Sequence, residues 1–185
     1  EGRHLVLATS SADAEARHLL GKAEETVDAI SAFLGIEPPA RKGTAILFRW
    51  SWSRRRYLAR ECPRMADAAA ACFEKPKGCF QIVLHDRWSR AETLRLLRHE
   101  VTHFAIASRY YDIPPWLDEG LGRFFEMGPP YGAVHPKSCP ALKGLIARRR
   151  TPLLPALIGV PAGERFTKSQ YDQAWGLVWF LLTEE

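Results

Sequence analysis

The chain has little cysteine, no CxxC pair and no long apolar run, and each shortage removes a class of protein. Its four cysteines, Cys62, Cys72, Cys79 and Cys139, lack the spacing of a zinc ribbon or a thioredoxin-type redox pair. The longest clean apolar stretch is the nine residues Ala174 to Leu182, against the roughly 20 that a spanning helix needs, so no membrane span is expected. No internal repeat or low-complexity segment occurs. Positive charge is in modest excess, with 26 Lys and Arg against 21 Asp and Glu and a net charge of +5. Part of it lies in the triplets Arg54-Arg55-Arg56 and Arg148-Arg149-Arg150. These are short, far apart and without the signature of a recognition module, so a solvated basic face is expected rather than a nucleic-acid site.

What is present suits an ordinary globular chain. The 185 residues are 46% apolar and 25% charged, enough to bury a core. One domain over residues 1–185 is expected, with a mixed sheet and helices over 1–88 and a mainly helical half over 89–185. The first residue is Glu1 rather than Met, as in a processed or trimmed chain whose signal peptide would already be gone. Cys72 and Cys79 flank the turn-like Glu74-Lys75-Pro76-Lys77-Gly78, which can set them opposite each other on a hairpin and leave Cys62 to pair with Cys139; buried free thiols are the alternative. Disulfides would favour a secreted or periplasmic location, which the sequence otherwise leaves undetermined along with the oligomeric state.

Periodicity places the elements. His4 to Thr9 reads as a strand, and Ser10-Ser11-Ala12-Asp13 caps a helix running to about Leu34, with Leu19, Leu20, Ala23, Val27, Ile30 and Leu34 on one face. Thr44 to Phe48 reads as a strand, Ser51 to Ala71 as a helical region broken near Pro63, and Cys79 to Leu84 as a further strand. Trp50 and Trp52 are expected to anchor a strand end, or to form an exposed patch. Ser89-Arg90-Ala91-Glu92 has capping-box spacing before a helix to about Tyr110. Pro114-Pro115 breaks it, and another helix begins near Trp116 and runs to Phe125 or Glu126. Residues 128–163 read as loop with a helical piece near Ala141 to Arg150. A final helix spans about Ser169 to Leu182, with Trp175, Val178, Trp179 and Leu182 on one face.

The segment with chemical content is His99-Glu100-Val101-Thr102-His103, an HExxH inside a helix. Four residues turn a helix by about 400°, so His99 and His103 project from one face a turn apart and suit one zinc ion, with Glu100 beside them as general base. A third protein ligand is needed, with the fourth position left for water. Glu119 in Trp116-Leu117-Asp118-Glu119-Gly120 is the best placed, because the Pro114-Pro115 break lets its helix fold back; otherwise it is a helix N-terminal carboxylate favoured by the dipole. His135, Asp112 and Asp118 are weaker candidates. An HExxHxxGxxH set fails, because Ile106 and Arg109 occupy the required positions.

His99-Glu100-x-x-His103 followed by Trp116-Leu117-Asp118-Glu119-Gly120 resembles the gluzincin metallopeptidases, especially the peptidase MA-like group and the aminopeptidases that carry a WLNEG-type segment. Tyr171-Asp172-Gln173-Ala174-Trp175 is similar to the family's segment whose tyrosine supports the oxyanion. The resemblance covers about residues 79–182, and it implies an α+β, thermolysin-like catalytic core, one zinc ion per chain, a peptide or protein substrate, and an upstream sheet whose edge strand holds extended substrate. Cys79 to Leu84 is the strand expected to pair with a peptide.

The sequence also departs from the pattern. No Gly-x-Met-x-Asn segment precedes the zinc helix, so the amine-anchoring glutamate of the aminopeptidases is missing and an endopeptidase is expected. Gln173 and Ala174 replace the usual Lys and Gly after the tyrosine. Glu126, two turns after Glu119, is placed either to accept a hydrogen bond from a zinc-bound imidazole or to remain solvated. The competing function is an inactive peptidase-like module that binds a protein or an anionic polymer through its cleft or basic face.

Overall fold

The computed structural model describes residues 1–10, 13–76, 78–85, 89–110, 112–148 and 154–183. It divides into two compact units, Glu1–Arg109 and Tyr110–Glu185. The HExxH helix, grouped with the second half by its sequence, belongs to the first unit. Of the expected features, Ser11, Ala12, Lys77, Arg149 and Arg150 lie outside the described residues.

In the first unit the order is β1 (Leu5–Thr9), α1 (Asp13–Leu34), β2 (Gly43–Phe48), α2 (Ser51–Glu61), a 3-10 turn at Pro63–Met65, β3 (Ala70–Lys75), β4 (Cys79–His85) and α3 (Arg90–Ala107). The sheet runs β1-β2-β4-β3. β1, β2 and β4 are parallel and β3 is antiparallel to β4. The crossover between parallel β1 and β2 carries α1, as a parallel pair requires.

Alternation along the strands divides the core in two. Leu5, Ala45, Leu47, Ile82, Leu84 and Ala70 pack with α1 (Leu19, Ala23, Val27) and α3 (Leu97, Val101, Phe104). Ala71, Phe73 and Val83 pack instead with Leu58 and Cys62. Helix α2 therefore covers the sheet face opposite α1 and α3. One polar group ties the front of this unit together: the buried Glu24 carboxylate of α1 accepts from the backbone N–H groups of Arg3, His4 and Leu5.

Several expectations are corrected here. The end of the helical region expected over Ser51 to Ala71 is the strand β3, because pairing with β4 outweighs the helix preference of an alanine-rich stretch. β4 is consequently an interior strand, bonded to β2 on one side and β3 on the other. Cys79 to Leu84 cannot offer an edge to a peptide; β3 lies at the sheet edge. The hairpin exists, but its register sets Cys72 against Ile82 and Cys79 against Lys75, and none of the four cysteines is in a disulfide.

Further corrections concern α2 and α3. Trp50 and Trp52 anchor nothing: they are 54% and 63% exposed. α2 turns Arg54 and Leu58 inward, one turn apart, and so leaves Trp52 outside. The arginine triplet is split by the same helical phase. Arg54 is buried and donates to the Ala69 carbonyl at 2.6 Å, Arg55 pairs with Asp67 at 3.0 Å, and Arg56 is exposed. At α3, Ser89 is the N-cap, but its side chain makes no capping hydrogen bond; its carbonyl accepts from the N–H groups of Glu92 and Thr93, each at 3.0 Å.

The second unit contains α4 (Pro115–Phe125), α5 (Ser138–Ala147), α6 (Leu154–Ile158) and α7 (Lys168–Thr183). α7 packs on α4, α5 and α6. Trp175 and Val178 are buried as expected, while Leu182 is 37% exposed. A small mixed sheet followed by helices makes the chain α+β, as its sequence implies. No helix among the described residues is long and apolar enough to cross a membrane.

Candidate metal centre

The first contribution comes from α3. Leu97, Val101 and Phe104 hold this helix to the sheet, and the Phe104 ring meets Phe80 edge-on at 5.7 Å. His99 and His103 each follow one of these anchors by two residues, a rotation of about 200° that turns them away from the sheet. Their ring centroids are 4.8 Å apart with planes at 81°. His99 and Glu100 are buried, and His103 is partly exposed. Thr102 is also buried and returns its hydroxyl to the Arg98 carbonyl at 2.8 Å, so it adds no free polar group to this helix.

The second contribution comes from α4. Pro114 is its N-cap and Pro115 its first residue, where a missing N–H costs nothing and the fixed φ suits a helix start. Glu119 follows in the second turn, partly exposed. The next residue explains why the segment ends in glycine. A Cβ at Gly120 would stand 2.5 Å from Val178 Cγ2 and 2.6 Å from the Ala174 carbonyl oxygen. Only glycine admits α7 so close. Tyr171, one turn before Ala174 on α7, then reaches Glu119, and its hydroxyl donates to Oε1 at 3.4 Å.

Behind this pair lies a polar network that the sequence does not reveal. The Arg123 guanidinium sits 5.3 Å from the Tyr171 ring centroid and 3.7 Å from Glu126 Oε1. Glu126 is 2% exposed, so the solvated alternative for it is excluded. Its Oε1 is 2.8 Å from His135 Nε2. His135 Nδ1 accepts from the Ser138 N–H at 2.9 Å, so the ring hydrogen is on Nε2 and is donated to Glu126. Both nitrogens of His135 are thereby engaged in structure. No local pattern signals it: the N-cap of α5 is Lys137, which makes no side-chain cap bond, and His135 lies two residues earlier.

The ligand atoms of His99, His103 and Glu119 lie within 4.8 Å of one another, a group that can hold a metal ion. Among the described residues it is the group of three or more His, Cys, Asp or Glu side chains so arranged, and neither His135, Asp112 nor Asp118 belongs to it. Two imidazoles and a carboxylate are a donor set that zinc takes, with a fourth position left open. No protein-family model, no characterised protein and no solved structure matches the chain.

Proposed function

We propose that the chain is a zinc-dependent peptidase of gluzincin type, with one zinc ion held by His99, His103 and Glu119, cutting peptide bonds within a chain rather than at its amino terminus. The observation that carries this reading is the convergence of those three donors within 4.8 Å, with a buried Glu100 next to the first of them. When bound, zinc supplies Lewis-acid polarisation of the scissile carbonyl and a water acidified to a pKa of about 7.

The remaining chemistry belongs to this chain's side chains. Glu100 takes the proton of the attacking water on its carboxylate and passes it to the departing amine, the double task that suits a carboxylate beside the first histidine. Tyr171, already directed at Glu119, donates its hydroxyl hydrogen to the oxyanion of the tetrahedral intermediate. β3, at the sheet edge, is the strand that suits pairing with an extended peptide, giving affinity with little side-chain preference. The missing amine-anchoring segment favours cleavage inside the substrate.

Elemental analysis of wild type and Glu119→Ala, combined with turnover of a mixed fluorogenic peptide library by wild type and Glu100→Gln, tests the proposal. The expected result is one zinc per wild-type chain, zinc lost or much weakened in Glu119→Ala, and cleavage abolished in Glu100→Gln with zinc retained. Absence of zinc after reconstitution overturns the reading; stoichiometric zinc without turnover leaves only a metal-binding module.

A further inference from the structure

On the sheet face opposite α1 and α3, the end of β2 and the outer side of α2 form an open groove lined by Phe48, Trp52, Ser53, Arg56, Tyr57 and Arg60. Its construction follows from helical spacing. Trp52, Arg56 and Arg60 stand at successive turns and form one stripe; Ser53 and Tyr57 form the next. Phe48 and Tyr57 make the floor, with ring centroids 5.4 Å apart, and the Tyr57 hydroxyl is fixed to Gln81 Oε1 at 2.8 Å. Trp52 is 63% exposed, and Trp50, two residues earlier in the chain, is 54% exposed with Arg49 5.3 Å from its ring.

The charges around these rings are unevenly compensated. Arg60 pairs with Glu61 at 2.8 Å and lies 5.7 Å from the Tyr57 ring, and Arg55 pairs with Asp67. Arg49 and Arg56 have no carboxylate partner among the described residues. Two large exposed indoles beside uncompensated arginines form a surface that a soluble chain has no structural need for.

We propose that this groove binds a nucleotide unit, with the base stacked on Trp52 and the phosphate held by Arg56. A base supplies a planar face for the indole, and the phosphate supplies the anion for a guanidinium fork, within the span of one groove. A lipid headgroup brings the phosphate without a planar ring to stack on Trp52. Free nucleotide and single-stranded nucleic acid share this chemistry. The groove shares no residue with the proposed metal centre, so neither proposal depends on the other.

The test uses the full chain at low salt, with adenosine monophosphate followed by tryptophan quenching and a labelled oligothymidylate followed by anisotropy. Trp52→Ala and Arg56→Gln are compared with Arg165→Gln, which removes the same charge from an exposed site elsewhere. Both groove substitutions remove exposed side chains, so the fold is retained. The expected result is a loss of affinity of about fivefold or more in each groove variant and little change in Arg165→Gln. In Arg56→Gln, the salt slope for the oligonucleotide should also fall by about one. Binding of mononucleotide with this dependence identifies a free nucleotide as ligand; binding of the strand alone identifies single-stranded nucleic acid. Equal binding by all variants overturns the proposal in favour of net-charge attraction. Absence of binding to either probe overturns it, as does a blue shift on phosphatidylglycerol vesicles with no response to the nucleotide probes.

Discussion

At the scale of single residues, two tyrosine and histidine assignments separate what a side chain can do from what its surroundings permit. Tyr171 is tied to the proposed metal centre by one long contact, 3.4 Å to Glu119 Oε1, and removing its hydroxyl leaves the ring packed against Phe166. Tyr171→Phe is therefore expected to keep its zinc and its melting temperature while kcat falls by about a hundredfold to a thousandfold, the usual worth of one oxyanion donor. Unchanged kcat in a zinc-replete sample would remove Tyr171 from the catalytic set. His135 shows the opposite case. As a residue type it was a possible ligand, but the Ser138 N–H and the Glu126 carboxylate occupy its two nitrogens. Nothing in a nine-residue separation announces that pair; it arises because Glu126, which ends α4, meets His135 in the turn before α5. The motif residues were legible because their chemistry is local. His99, Glu100 and His103 are fixed by one helical turn, whereas the partners of Glu126 depend on packing.

At the scale of elements, close approach and strand pairing decide more than propensity. Gly120 lets α4 and α7 touch at backbone distance, and that contact brings Tyr171 to Glu119. Gly120→Ala is expected to destabilise the chain by about 1–3 kcal/mol through overpacking, despite alanine's better helix propensity, and to lower kcat in step with Tyr171→Phe; chemical denaturation and steady-state kinetics check both. A second junction ties the end of α2 to β3. Glu61 accepts from Lys75 at 2.7 Å. The Lys75 ammonium, with help from Arg60, holds the Glu61 carboxyl below its ordinary range, and Glu61 holds the Lys75 ammonium above its own. The signs follow directly. A lowered carboxyl contributes stability above its unfolded-state pKa and loses it as pH falls through the folded value; the raised lysine loses its share only as pH rises through its folded value. Lys75→Met should therefore melt below wild type near neutral pH, with the gap narrowing below a pH of about 4. A gap that is constant with pH would assign the effect to packing. The first two residues of β3, Ala70 and Ala71, fall in the expected helical region because alanine-rich sequence favours helix locally, while their ladder with β4 lies beyond the reach of a local pattern.

At the scale of the whole chain, the proposed ligands draw on α3 and α4, so zinc should bind the folded chain far better than the unfolded one. Zinc at a hundred times its dissociation constant adds about 2.7 kcal/mol to the folded state. Calorimetry should show unfolding moving to higher temperature with added zinc and returning on chelation, with the response absent in Glu119→Ala. A wild-type transition indifferent to zinc would contradict the ligand set. The sequence by itself determined the α+β class, three of the four strands, the boundaries of α1 and α4 within a residue or two, and the HExxH helix, because each is written in the spacing of residues close along the chain. Tertiary structure alone decided which strand lies at the edge, that the cysteines form no disulfide, that Arg54 is buried while Trp50 and Trp52 face solvent, and that Glu126 holds His135. Each of these depends on pairing register, or on which helical face meets a neighbour distant in sequence, and local periodicity carries no information about that partner.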